Sequence, residues 1–70
     1  ETVRITWKPV ADVQKSCALE YSRRRMVKLT WSVDACSYWV KDECTIITKI
    51  KPNMHDVGHE VRHCFQRDWH

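Results

Sequence analysis

Apolar residues alternate with polar ones, or recur at helical spacing, in six consecutive segments of the chain. Residues 2–8 carry apolar side chains at every second position, among them Ile5 and Trp7, which is the period of a half-buried β-strand. After Pro9 the spacing changes to that of a helix, which we predict over about residues 11–21. The chain therefore opens with a strand followed by a helix.

Three further strands are predicted in the middle of the chain. Residues 27–33 alternate Val, Leu, Trp and Val with Lys, Thr and Ser, the clearest strand pattern in the sequence. Residues 36–40 and 43–50 follow, and the second of these segments is rich in β-branched side chains. Between them Lys41 and Asp42 are predicted to form a hairpin turn, although the Gly favoured at the second turn position is missing.

A second helix is predicted over residues 54–65. Its apolar residues share one face at 3.6 residues per turn: Met54, Val57, Val61, Cys64 and Phe65. His59 and His63 fall on the opposite side of this helix. We therefore expect both imidazoles to face solvent or a cleft and not the core.

This order of elements predicts one α+β domain over residues 1–70, a small sheet of about four strands packed with two helices in the order β-α-β-β-β-α. Trp7 and Trp31 lie in the apolar registers of their strands, so we expect them in the core. A domain this small buries only about 60% of its unfolded surface, so a further staple is expected.

The cysteines supply that staple. Cys17, Cys36, Cys44 and Cys64 contain no C-x-x-C pair, which favours two disulfides over an all-cysteine zinc site, and three pairings remain open. Disulfides persist in oxidising compartments, so we expect a secreted or periplasmic protein. The chain starts at Glu1 without a leader, so the signal peptide is presumed removed, and no apolar run is long enough to span a membrane.

The net charge is modest and argues against a nucleic-acid partner. It is +3, and its most concentrated source is the run of residues 23–25, all arginines. No interleaved aromatic residues or known nucleic-acid-binding pattern accompany the run. A solvated loop is therefore favoured over a phosphate-binding patch.

The run His59-Glu60-Val61-Arg62-His63 carries the candidate chemistry. Histidines four residues apart on a helix stand one above the other, so both can bind one tetrahedral zinc ion. A glutamate directly after the first histidine can take a proton from a metal-bound water, which zinc makes acidic. We predict a zinc site at His59 and His63, with Glu60 activating water to hydrolyse a peptide or protein substrate.

At these residues the chain resembles the zincin metallopeptidases, in which an H-E-x-x-H helix follows a strand that pairs with extended substrate. The resemblance covers about residues 45–70. It implies that His59 and His63 are zinc ligands and that Glu60 is the general base. It also implies that residues 44–50 form the substrate-binding edge strand.

The third zinc ligand is predicted to be His70. One zincin pattern places a Gly and a third His where this chain has Gln66 and Trp69, and His70 follows one residue later. On a straight helix His70 would lie too far along the axis to share the ion with His63, so the helix is expected to break before it. Asp68 and His55 are the fallback ligands.

A non-enzymatic alternative remains open. The chain is then a disulfide-stapled binding module whose metal is structural or absent, and whose exposed strand edge recognises a partner by β-augmentation. If no metal is bound, the histidines are ordinary exposed residues of a helix. In both hypotheses Cys64 is a disulfide partner and not a thiolate ligand.

Overall fold

A computed structural model of the chain describes residues 4–25 and 29–66. Five elements follow one another in these residues: β1 (Arg4–Val10), α1 (Val13–Arg25), β2 (Ala35–Val40), β3 (Glu43–Lys49) and α2 (Met54–Gln66). The predicted α+β class is confirmed, with a small sheet, two helices and two disulfides.

The sheet has the strand order β1-β3-β2, so β3 is its central strand. β1 pairs with β3 in parallel and β2 pairs with it antiparallel. The predicted hairpin turn at Lys41 and Asp42 joins β2 to β3, and Lys41 adopts a φ of 56°, in the left-handed region that Gly would occupy without strain. Residues from Cys44 to Thr48 are all buried, because β3 has a strand on each side and a helix over each face.

The two helices cover opposite faces of the sheet. Cys36 lies opposite Ile47 in the register, and Trp39 lies opposite Cys44. Because successive side chains of a strand point to opposite faces, these two pairs lie on different sides of the sheet. Each face has its own apolar cluster, one with Cys36 and Ile47 and the other with Cys44 and the half-buried Trp39.

Each disulfide ties one helix to one face. Cys17 of α1 is bonded to Cys36 of β2, and Cys64 of α2 is bonded to Cys44 of β3. This settles which of the three possible pairings is formed. All four cysteines are buried, so the cystines are part of the apolar clusters on the two faces of the sheet.

The strand predicted over residues 27–33 is absent from its described part, residues 29–33. Leu29 and Val33 still pack in the cluster beneath α1, and this packing accounts for their apolar character. Two backbone polar groups here are satisfied by a side chain instead of a neighbouring strand. Gln14 of α1 donates to the carbonyl of Trp31 at 3.0 Å and accepts from the N–H of Val33 at 2.9 Å.

The arginine run belongs to α1, so the prediction of a solvated loop was wrong. The helix continues to Arg25, past the predicted end at residue 21. Arg24 donates to Glu20 one turn earlier at 3.0 Å, and its guanidinium lies 4.3 Å from the centre of the Tyr38 ring. Cations near a helix C-terminus are favoured by the helix dipole, which helps to explain the extension.

Trp7 and Trp31 are exposed by 55% and 44%, so their predicted place in the core was wrong. The reason for Trp7 is topological, because β1 is an edge strand while both helices pack on β2 and β3. Trp31 instead lies edge-on against Tyr21, with ring centres 5.3 Å apart. Strand periodicity does not distinguish an edge strand from a central one.

Candidate functional site

α2 begins at an Asn cap and carries the predicted site around its middle. The Asn53 side-chain oxygen accepts a hydrogen bond from the N–H of His55 at 2.7 Å. The backbone carbonyl of Asn53 accepts one from the N–H of Val57 at 3.1 Å. Asp56 adds negative charge to the first turn, which suits the positive end of the helix dipole. Cys64 then anchors the last turn to β3. The helix is therefore held at both ends, as the site requires.

The imidazoles of His59 and His63 converge, as predicted from their spacing. Their Nε2 atoms are 2.9 Å apart, and the ring centres are 4.5 Å apart with the planes nearly perpendicular. His59 is exposed and His63 is half-buried. At this distance the two ring nitrogens form a hydrogen bond, and the tautomers decide which of them donates. The two nitrogens that would bind a metal ion thus lie close together on the surface of α2.

Glu60 lies on the sheet-facing side of α2, where its residue is 1% exposed. It occupies the buried face together with Cys64, while Met54 and Phe65, which were predicted on that face, are 77% and 64% exposed. The apolar stripe of this helix is therefore shorter than the sequence suggested. A carboxyl group buried this deeply is costly unless polar groups surround it, so its position is unusual for a merely helix-supporting residue.

A cleft of about 200 Å³ opens between α2 and the segment that leads into β2. It is lined by Trp31, Ser32, Val33, Asp34, Ala35, Asp56, His59 and Glu60. Three carboxyl groups and one imidazole therefore surround a single opening. The cleft is large enough for a small part of a ligand. It lies on the side of α2 that carries the buried Glu60.

The other predicted ligands are not brought to this pair in the part of the chain that is described. His55 is exposed at the start of α2, and Cys64 is in a disulfide, as predicted, so its thiolate is not available to a metal. His70 and the fallback Asp68 lie outside the described residues. The third ligand thus stays a prediction.

The resemblance to the zincins was wrong. Within residues 4–25 and 29–66, no group of three or more His, Cys, Asp or Glu residues is placed to hold a metal ion. The strand that was to be the substrate-binding edge, residues 44–50, forms most of the central strand β3 and already pairs on both sides. It has no free backbone edge for a substrate, so that part of the expected peptidase architecture is missing.

Comparison with known proteins adds no relative. No family model, no curated protein and no solved structure matches the chain. Among the described residues, no helix has the length and apolar character needed to cross a membrane.

Sequence reasoning missed the wall of the cleft opposite α2. Asp34 and Asp56 face the same opening, although they are far apart in the chain. The segment before β2 had been assigned to a strand, which gave no reason to place it beside the second helix. Residues 34–36, Asp-Ala-Cys, contain no motif that indicates a cleft.

Proposed function

We propose that His59 and His63 bind one zinc ion and that Glu60 activates water beside it for hydrolysis of an amide bond. The observation that carries the proposal is the 2.9 Å separation of the two Nε2 atoms on α2. The proposal concerns this site alone and assigns the chain to no family.

The two imidazoles can bind one tetrahedral ion if the distance between their Nε2 atoms increases slightly. Two nitrogens at about 2.0 to 2.1 Å from a tetrahedral zinc ion are about 3.3 Å apart. The observed separation of 2.9 Å is therefore within a few tenths of an ångström of that spacing. A change of this size needs only small rotations of the two side chains. A catalytic zinc ion has three protein ligands, so a third is expected from residues 67–70, where His70 is the predicted one.

Glu60 is the residue of this chain that would handle the proton. A zinc ion held by His59 and His63 would supply an acidified water and would polarise the substrate carbonyl. Glu60 follows His59 in sequence and lines the same cleft, so its carboxylate can accept the proton of the attacking water. It can then pass that proton to the leaving amine. Its burial keeps bulk water away, which strengthens charge interactions in the cleft.

The two disulfides support a place in an oxidising compartment. Cys17–Cys36 and Cys44–Cys64 leave no free cysteine in the chain. Such a pattern is rare in the reducing cytosol. The proposal therefore includes export, to the cell exterior or the periplasm, with a peptide or protein as substrate.

The decisive measurement is zinc stoichiometry by mass spectrometry and calorimetry on the purified protein. One zinc ion per chain is expected, and His59→Ala and His63→Ala should each lose it. His55→Ala is the matched control, because it removes an exposed imidazole from the same helix one turn earlier. Equal zinc loss in the control would move the site away from the proposed pair.

Hydrolysis is tested separately with Glu60→Gln and a mixture of quenched fluorescent peptides. The variant should keep its zinc and lose peptide cleavage, since a neutral amide cannot accept the proton. Circular dichroism establishes that the buried amide leaves the fold intact. Absence of bound zinc from the unaltered protein, or cleavage that survives in Glu60→Gln, contradicts the proposal.

A second candidate function is a non-enzymatic, disulfide-stapled binding module. The observation that favours it is the exposed edge strand β1, which presents Ile5 and Trp7 at the protein surface. Zinc bound without any peptide cleavage, or no zinc at all, is the outcome that this function predicts. The two candidates are thereby separated by the same set of measurements.

A further inference from the structure

β1 is the part of the sheet most open to another chain. It lies at one end of the strand order, so among the described strands only β3 pairs with it. Six of its seven residues are exposed and the seventh is half-buried. A strand edge with this exposure presents unpaired N–H and C=O groups, which are a template for a further strand. Pro9, which cannot donate a hydrogen bond, is compatible with such an edge position.

The two faces of β1 differ in chemistry. The register with β3 places Ile5 and Trp7 on the α2 side of the sheet, and Arg4 and Lys8 on the α1 side. One side of the edge is therefore apolar, and the other carries two cations. Asp and Glu are absent from β1, and Glu43, opposite Arg4 on β3, is the one acidic residue in the segment that pairs with it, so the two cations keep a net positive charge.

Trp7 is held in place before any partner arrives. Its indole N–H donates to the hydroxyl of Thr48 at 2.8 Å, and that hydroxyl donates to the Lys49 carbonyl. Thr48 is completely buried on the central strand, so the anchor of the ring is rigid. The indole nevertheless remains 55% exposed. A preorganised, half-exposed tryptophan loses little conformational entropy on binding, which is typical of residues that dominate interfaces.

We propose that β1 binds an extended segment of another protein in which acidic and apolar residues alternate. The segment adds a strand to the open edge by β-augmentation. Its acidic side chains lie beside Arg4 and Lys8, and its apolar side chains lie beside Ile5 and Trp7. This inference deepens the second candidate function by naming the partner, and it does not depend on the zinc site.

A second copy of this chain fits the edge poorly. In the antiparallel registers that match like faces, the two copies of Arg4 and Lys8 come together on one face of the joined sheet. When the register is shifted by one residue, the cations of one copy lie beside Ile5 and Trp7 of the other copy. Like charges on neighbouring strands repel, and charge opposite apolar groups gains nothing. The charge pattern therefore favours an acidic partner over self-association.

The test uses a short labelled peptide in which Glu and Val alternate, with binding followed by fluorescence anisotropy. Controls are the peptide with Lys in place of Glu and a peptide of the same composition with the Glu residues in one block. Only the alternating acidic peptide should bind. Raising the ionic strength from about 0.01 M to about 0.15 M should weaken binding, because it shortens the Debye length from about 30 Å to about 8 Å.

Charge reversal on β1 gives the sharpest readout. The double variant Arg4→Glu and Lys8→Glu should bind the acidic peptide at least about tenfold more weakly and should gain affinity for the Lys peptide. The matched control, Lys15→Glu and Lys51→Glu, makes the same change in net charge at exposed positions outside β1. Trp7→Phe, which keeps an aromatic ring but loses the bond to Thr48, should weaken binding of the alternating acidic peptide. Circular dichroism checks that each variant is folded.

Each remaining outcome overturns the proposal. No binding of the alternating peptide to the unaltered protein, or equal binding of the acidic and Lys peptides, removes its basis. A dimer in sedimentation that the β1 double variant abolishes would assign the edge to a second copy instead. The measurements are repeated with a chelator present, so that a failure here is distinguishable from a failure of the zinc proposal.

Discussion

The disulfide between Cys44 and Cys64 is expected to contribute about 3.3 kcal/mol to the free energy of unfolding. The bond joins residues separated by 20 positions. Closing a loop of about 20 residues removes about 11 cal/mol/K of entropy from the unfolded chain, which gives this value at 25 °C. Proteins of this size are stable by only about 3.5 to 10 kcal/mol, so the loss is a large fraction of the total.

The perturbation is the double substitution of Cys44 and Cys64 by Ala, with urea unfolding followed by circular dichroism. The double substitution of Cys17 and Cys36 by Ala is the matched control, because that bond spans 19 positions and the loop entropies are nearly equal. Both variants should lose about 3 kcal/mol. They should differ in zinc binding, since only the first releases the last turn of α2, the helix that carries the proposed zinc ligands.

A loss below about 1 kcal/mol in either variant would refute the entropic reasoning. Equal weakening of zinc binding in both variants, measured where both are folded, would refute the claim that the Cys44–Cys64 bond positions the site. Should the first variant prove unfolded at 25 °C, the comparison is repeated in a stabilising osmolyte.

Three smaller changes test the local packing. Gly58→Ala should raise stability by about 0.5 to 1 kcal/mol in thermal unfolding, because an added Cβ meets nothing within 4 Å and α2 gains helix propensity; an unchanged or lower Tm would contradict this. Gln14→Ala should lower stability by about 1 to 2 kcal/mol and speed hydrogen exchange at the Val33 N–H. Gln14→Glu keeps the oxygen that accepts from Val33 and loses only the bond to the Trp31 carbonyl. Equal exchange rates in the two variants would exclude the bridging role. Asn53→Ala should cost about 0.5 to 2 kcal/mol in urea unfolding and Asn53→Asp close to nothing, so equal losses would argue against capping.

Predictions from the sequence were correct where the residues that determine the structure lie within one short segment. The second helix begins at residue 54 as predicted, because the Asn cap and the helical spacing both lie within that segment. The hairpin around Lys41 and Asp42 also forms, since two predicted strands flank a short polar turn. His59 and His63 converge because a four-residue spacing on any α-helix brings side chains together.

Predictions failed where the outcome depended on distant parts of the chain. Residues 29–33 alternate like a strand, yet the Trp31 carbonyl and the Val33 N–H bond to Gln14 of α1 instead of a neighbouring strand. Trp7 has the pattern of a core residue, yet its strand lies at the sheet edge and leaves it exposed. Neither fact is encoded within a window of a few residues.

The amino-acid sequence by itself determined the α+β class, the presence of two disulfides and the paired imidazoles of the second helix. Each follows from residue type and spacing, which act over a few positions. Tertiary structure alone decided that β3 is central, that the cystines join Cys17 to Cys36 and Cys44 to Cys64, and that Glu60 is buried at a cleft. These features depend on which elements, distant in sequence, pack against each other and bury their apolar surfaces. The periodicity of a local segment does not determine which elements pack together.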